Sequence, residues 1–244
     1  MHSPKMIIAC WLVFTAGLSA QTPDLRGIWR AEGMTHVNLE TPRGVIVDPP
    51  NGKIPYRPEA AAQVRRNFAN RASADPETKC FQPGVPRANY LPYPFQILQN
   101  QRAVYIVYER VHAYRILYLD GSPHNEGLGY AMGDSRAHWE GDTLVVDVLS
   151  FSDQTWFDAA GHHHSDALHV VERFTRTGPE TIRYEATIED SKLFTQPWTI
   201  RLILRRQPGA ELLEDECVED ANGVRRHVQP FKFKSSSPNP SITK

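Results

Sequence analysis

The chain has 244 residues, 41% of them hydrophobic and 23% charged, with a formal net charge of −1. That length is one ordinary domain with enough material for a large core. Basic residues scattered along the strands of a near-neutral chain lack the clustered positive patch that nucleic-acid binding requires.

The opening, MHSPKMIIACWLVFTAGLSAQTPDL, sets Lys5 before an apolar run at 6–18 and ends that run in small residues. This is the layout of a secretory signal peptide spanning 1–20. The run has about 13 residues against the ~20 of a spanning helix, and no later segment is apolar enough to cross a bilayer. Cys10 lies inside the run and reads as a leader residue. Loss of the leader removes Lys5 and no acid, which takes the net charge to −2 and leaves Cys80 and Cys217. In an oxidising compartment, periplasmic or extracellular, these two are expected to form a disulfide.

The remaining chain is expected to be one domain over 21–234, followed by a polar, Pro-interrupted and disordered tail at 235–244. GIWRAE at 27–32 reads as a first strand, and the proline-rich stretch 41–58 as loop. RPEAAAQVRRNFANRA at 57–72 is the one good helix, with Pro58 in its first turn, placed to cover a barrel mouth. From 93 to 206 the chain reads as short strands joined by turns. Ile182, Tyr184, Ala186 and Ile188 share one face, and Trp198, Ile200, Leu202 and Leu204 another, a period of two that buries one side of each strand. EGD at 140–142 and TGPE at 177–180 supply hairpin turns, and SKLF at 191–194 a single turn. Consecutive strands without intervening helices predict an antiparallel meander, closed into a barrel to remove its edges, with a sandwich as the alternative.

YPFQILQ, YRILYLDGSPH, HWEGDTLVVDVLSFSDQTWFD, GHHHSDALHVVERF and PWTIRLILRR resemble segments of a family of secreted bacterial proteins with a lipocalin-like β-barrel. The likeness covers most of 90–206 and implies a barrel but no reaction. It departs from that family's pattern at Asp134, where a histidine is expected, and at His138, where an arginine usually precedes the tryptophan.

The densest chemistry lies in GHHHSDALHVVERF at 161–174. If the strand through Val170 extends back to the glycine, His162, His164, Asp166, Leu168, Val170, Glu172 and Phe174 share the more apolar face and point into the barrel. Three readings follow. In the first, His164 carries a proton, Asp166 orients it, His162 is a second donor, and Trp156 with Asp158 forms part of the mouth. In the second, His162, His164 and His169 are metal ligands. In the third, the histidines form a polar rim bonded to backbone. Glu172, His169, Tyr105 and Trp139 are further ligand-binding candidates, and Tyr105, Tyr108, Tyr114 and Tyr118 sit on neighbouring strands where their hydroxyls can line a cavity. No nucleophile elbow or phosphate loop is present, and no organic cofactor is expected. The expected function is an exported barrel that binds a small apolar or aromatic molecule, with cofactor-independent acid/base chemistry of the isomerase, lyase or hydratase type. A non-catalytic carrier and a metal-dependent hydrolase are the alternatives.

Overall fold

The computed structural model describes residues 22–41, 43–219 and 225–228, with backbone alone at 218–219 and 225–228. The leader at 1–20 and the tail at 235–244 lie outside the described residues. Twelve strands and two helices follow in chain order: β1 Gly27–Ala31, β2 Ile46–Asp48, α1 Pro58–Ala69, α2 Arg71–Ala74, β3 Phe95–Gln99, β4 Ala103–Tyr108, β5 Tyr114–Tyr118, β6 Asp134–Glu140, β7 Thr143–Leu149, β8 His169–Gly178, β9 Thr181–Glu189, β10 Trp198–Arg206, β11 Glu216–Glu219 and β12 Arg225–Val228. No helix among the described residues is long and apolar enough to cross a membrane.

Nine strands close a barrel in the order β1, β3, β4, β5, β6, β7, β8, β9, β10 and back to β1. Both β1 and the short β2 pair with β10, β1 near its end at 204–206 and β2 near its start at 199–200. Every pairing in the barrel is antiparallel except β5 with β6, where Leu117 faces Ser135 and Tyr118 faces Arg136. This corrects the expected antiparallel meander. A parallel pair needs a connection of a dozen or more residues that returns the chain to its starting end, and 119–133 provides it. Two-residue hairpins join β6 to β7, where Gly141 takes φ +55° between the paired Glu140 and Thr143, and β8 to β9, where Gly178 pairs with Thr181.

The strand periodicity holds in three dimensions. Val170, Glu172 and Phe174 of β8, Ile182, Tyr184, Ala186 and Ile188 of β9, and Trp198, Ile200 and Leu204 of β10 are all fully buried. Trp29, Phe95, Phe174, Tyr184 and Trp198 are among the largest fully buried side chains. A small barrel with such residues pointing inward fills its own centre.

One polar network lies within this apolar interior. Arg115 of β5 donates from Nη1 to Glu172 Oε1 at 3.1 Å and from Nη2 to Glu172 Oε2, and its Nη2 also reaches Ser135 Oγ at 3.0 Å. Tyr184 Oη and Asn89 Nδ2 both donate to Glu172 Oε1, at 2.9 and 2.7 Å, and Tyr108 Oη donates to Asn89 Oδ1 at 2.7 Å. Burial works against the Arg115 charge, but the Glu172 carboxylate outweighs it and raises its pKa. Burial lifts the Tyr108 hydroxyl to about 12 and that of Tyr184 well above the usual phenol range.

A second set of charges clamps the barrel's outer segments. Asp75 and Arg87 form a buried bidentate pair at 2.8 Å. Arg110 reaches Glu77 at 2.7 Å and Asp215 at 3.4 Å, and Asp215 accepts from Val111 N at 3.1 Å. The Cys80–Cys217 disulfide, with Cα atoms 5.9 Å apart, joins the segment that carries Glu77 to the one that carries Asp215, as expected. In the chain-entropy model a loop spanning 137 residues gains up to ~5 kcal/mol from closure.

The buried pair predicts a specific pattern of stability loss. Glu172→Ala leaves the Arg115 cation uncompensated and should lower the unfolding free energy by about 3–5 kcal/mol in a denaturant titration. Replacing both residues, Arg115→Met with Glu172→Leu, should cost less than Glu172→Ala alone. Equal losses would mean that packing around Glu172, not its charge, supports the barrel.

Candidate functional site

β8 begins at His169, so 161–168 forms a loop at the barrel end and not the strand extension the sequence suggested. Val170, Glu172 and Phe174 do point inward. The preceding histidines are held by separate partners.

Asp158, fully buried, organises the first of these. Its Oδ2 accepts from Leu39 N at 2.8 Å and from His162 Nδ1 at 2.6 Å, and its Oδ1 accepts from Ala160 N and His162 N. His162 Nε2 has no hydrogen-bond partner among the described residues. His163 is fixed through its backbone: Tyr56 Oη donates to its carbonyl at 2.6 Å and accepts from its N–H at 2.7 Å. His164 is buried, with Nδ1 on the Ser165 carbonyl at 2.8 Å and Nε2 on Thr155 Oγ1 at 2.6 Å. That set satisfies one neutral tautomer, Nδ1–H donating and Nε2 accepting. Burial pushes the His164 pKa down.

Close backbone approaches hold this loop in place. Gly161, at φ +87°, lies where a Cβ would meet Asn67 Cβ at 2.6 Å, and the Asn67 amide donates to its carbonyl at 3.0 Å, which docks α1 on the loop. Gly84, at φ +77°, lies where a Cβ would meet Thr155 Oγ1 at 2.4 Å. Asp190, buried on the far side, accepts from Ser165 N at 2.7 Å and Ser165 Oγ at 3.0 Å.

Asp166 is not the partner of His164. Its carboxylate is exposed and paired with Lys192 at 2.5 Å, a contact that lowers its pKa. Adjacency in sequence placed the two together, but the turn after Ser165 points Asp166 outward. His169 lies on the outer face of β8, bonded to Asp147, whose other oxygen takes His124 Nε2 at 3.0 Å. His162, His164 and His169 therefore stand on three different partners. Among the described residues no group of three or more His, Cys, Asp or Glu side chains is arranged to hold a metal ion.

The other candidates also separate. Trp156 is buried and bridges His163. Trp139 is partly buried against the core. Tyr105 lies on the outer side of β4, opposite Leu98 and Ile116. Glu172 is committed to the interior network. Of the neighbouring tyrosines, Tyr108 points inward, whereas Tyr114 and Tyr118 line an external cleft.

That cleft, about 360 Å³, opens where β5 and β6 diverge below their short parallel pairing. Tyr114, Ile116 and Tyr118 come from β5, Tyr130, Met132 and Gly133 from the connection, Asp134 and Ser135 from β6, with Gln82 and Asn125 at the side. Asp134 accepts from Arg136 Nη1 at 2.9 Å, from Asn125 N at 2.9 Å and from His124 Nδ1 at 3.1 Å. Arg136 also stacks over Tyr118 at 4.7 Å. The hydroxyls of Tyr114, Tyr118 and Tyr130 and the Gln82 amide have no hydrogen-bond partner among the described residues. Sequence reading noted Tyr114 and Tyr118 but missed Asn125 and Tyr130, which the return of 119–133 brings to β5, and Gln82, which reaches the cleft from the segment before β3.

No family model, curated protein or solved structure matches the chain.

The buried imidazoles set a pH dependence. His164, His163 and His36 all have pKa values lowered from 6.5, chiefly by burial. Asp190 and Asp153 oppose this at His164 without cancelling it. Below about 6.5 the unfolded chain binds the proton that the folded chain refuses, so stability is full above that pH and falls as pH drops towards the folded pKa. His164 alone contributes up to about 1.4 kcal/mol per pH unit in that window. Stability measured from about pH 7 to about pH 5 should fall, and His164→Asn should flatten the slope. An unchanged slope would show that His164 does not titrate differently on unfolding.

Proposed function

We propose that the protein is an exported β-barrel that binds a small molecule in the cleft at its β5–β6 seam, as a carrier. The carrying observation is the contrast between this cleft and the histidine loop. At the cleft, three tyrosine hydroxyls and an amide lie unpartnered around a volume within the usual range for small-molecule sites. In the loop, His164 is enclosed with both ring nitrogens occupied, an arrangement suited to holding a loop. The secretory leader and the disulfide support export to the periplasm or beyond. The filled barrel centre argues for a wall site over the interior pocket of a lipocalin-like carrier.

A second reading rests on the Asp158–His162 pair. The carboxylate orients the imidazole through Nδ1 at 2.6 Å and leaves Nε2 unpartnered, an arrangement that serves acid/base chemistry of the isomerase, lyase or hydratase type.

Amide shift mapping separates the two. Screening ¹⁵N-labelled protein against a fragment library of neutral, anionic and aromatic compounds should perturb 114–118 and 130–135 together. Perturbations confined to 156–164 would transfer the site to His162, and a library without hits at either place would remove the binding reading.

A further inference from the structure

We infer that the seam cleft takes a neutral saccharide of roughly one or two pyranose rings, an inference that rests on the cleft being the binding site. The argument starts from charge. Asp134, the carboxylate in the lining, is already matched by the Arg136 guanidinium at 2.9 Å and accepts from His124 and Asn125 as well. Arg115 is the other charged residue in the lining, and its guanidinium is bound to Glu172. The lining therefore offers no uncompensated cation to an anion, and the Asp134 oxygens are already taken up by donors that a cationic ligand would have to displace.

Hydrogen-bonding capacity then excludes a purely apolar ligand. The hydroxyls of Tyr114, Tyr118 and Tyr130, the Gln82 amide and Asn125 Oδ1 have no hydrogen-bond partner among the described residues, so a ligand in the cleft meets them as open donors and acceptors. Covering them with hydrocarbon would leave each unsatisfied, at about 1–3 kcal/mol apiece. A ligand studded with hydroxyls pairs with them, donating to the acceptors and accepting from the donors. Amide and phenol groups suit it because each both donates and accepts, as a sugar hydroxyl does.

The apolar part of the lining completes the match. Tyr118, with the Arg136 guanidinium over its ring, and Tyr130 line the cleft with Ile116 and Met132. Rings and aliphatic carbon of this kind pack against the C–H faces of a pyranose while their polar edges stay wet. At about 360 Å³ the cleft is too small for a long glycan to be enclosed. A chain end or a short oligosaccharide fits.

The test is a glycan array of neutral hexoses, pentoses and N-acetylhexosamines with uronic acids alongside, followed by titration of any neutral hit and of p-cresol into the labelled protein. Tyr114 is exposed and Gln82 is partly buried, with no hydrogen-bond partner for its amide among the described residues, so Tyr114→Ala and Gln82→Ala should fold as the parent does, which thermal unfolding checks. The expected result is a neutral saccharide that shifts 114–118 and 130–135 and loses about tenfold or more in affinity in either variant. Binding of uronic acids alone, or of p-cresol at the cleft without any neutral saccharide, would overturn the saccharide assignment while leaving the cleft as the site. Saccharide binding unaffected by both variants would overturn the placement in this cleft. Silence from both saccharides and p-cresol would overturn the saccharide assignment, and the fragment screen then decides separately whether the cleft binds anything.

Discussion

The barrel is organised around a single carboxylate. Glu172 lies with no solvent exposure in an apolar interior, where an unpaired charge is too costly to persist. Its two oxygens take donors from β5, β9 and the turn at Arg87–Tyr90, and the chain of bonds continues to β4 through Tyr108 and to β6 through Ser135. Satisfying it thus requires five strands and one turn to be in register at once. A slip of one residue in β8 would turn Glu172 outward and place Val171 or Arg173 in the interior. The network supplies register that hydrophobic packing alone specifies less sharply.

Carboxylates play a similar part at the barrel end. Asp158 gathers 39, 160 and 162, and Asp190 gathers 165 with the turn at 192–193. Each replaces strand hydrogen bonds that a loop lacks, which is how a buried loop meets its backbone polar groups. The histidine-rich stretch is held between these two centres. His162 donates to the Asp158 carboxylate, and His164 bonds a carbonyl through one ring nitrogen and a hydroxyl through the other, so imidazole side chains bridge different partner types within a few residues.

The seam cleft has a topological origin. Because β6 runs parallel to β5, the chain between them must return along the barrel wall, and the two strands pair over only two residues. The first half of β5 then faces the 130–133 turn instead of a strand. That gap turns outward-facing tyrosines, ordinary on a sheet surface, into the walls of a concave site. Ligand sites commonly arise at such irregularities of strand order.

The sequence by itself determined the barrel strands β1 and β3 to β10, the buried parity of β8, β9 and β10, the single larger helix and the disulfide partners, because each depends on local periodicity or on a count of two cysteines, whereas β2 formed inside the proline-rich stretch expected to be loop, where three residues pairing with β10 leave no period to read. Asp190 before the SKLF turn was also legible in principle, as an aspartate that caps its own loop. Tertiary structure alone decided the rest. Arg115 and Glu172 are 57 residues apart, and nothing local to either marks the other as its counter-ion. His164 lies two residues from Asp166 yet bonds Thr155, since a loop, unlike a strand or helix, has no fixed angle between successive side chains. The direction of β6 could not be read either. Alternation states which face of a strand is buried but carries no information about which way its neighbour runs, and that direction created the cleft.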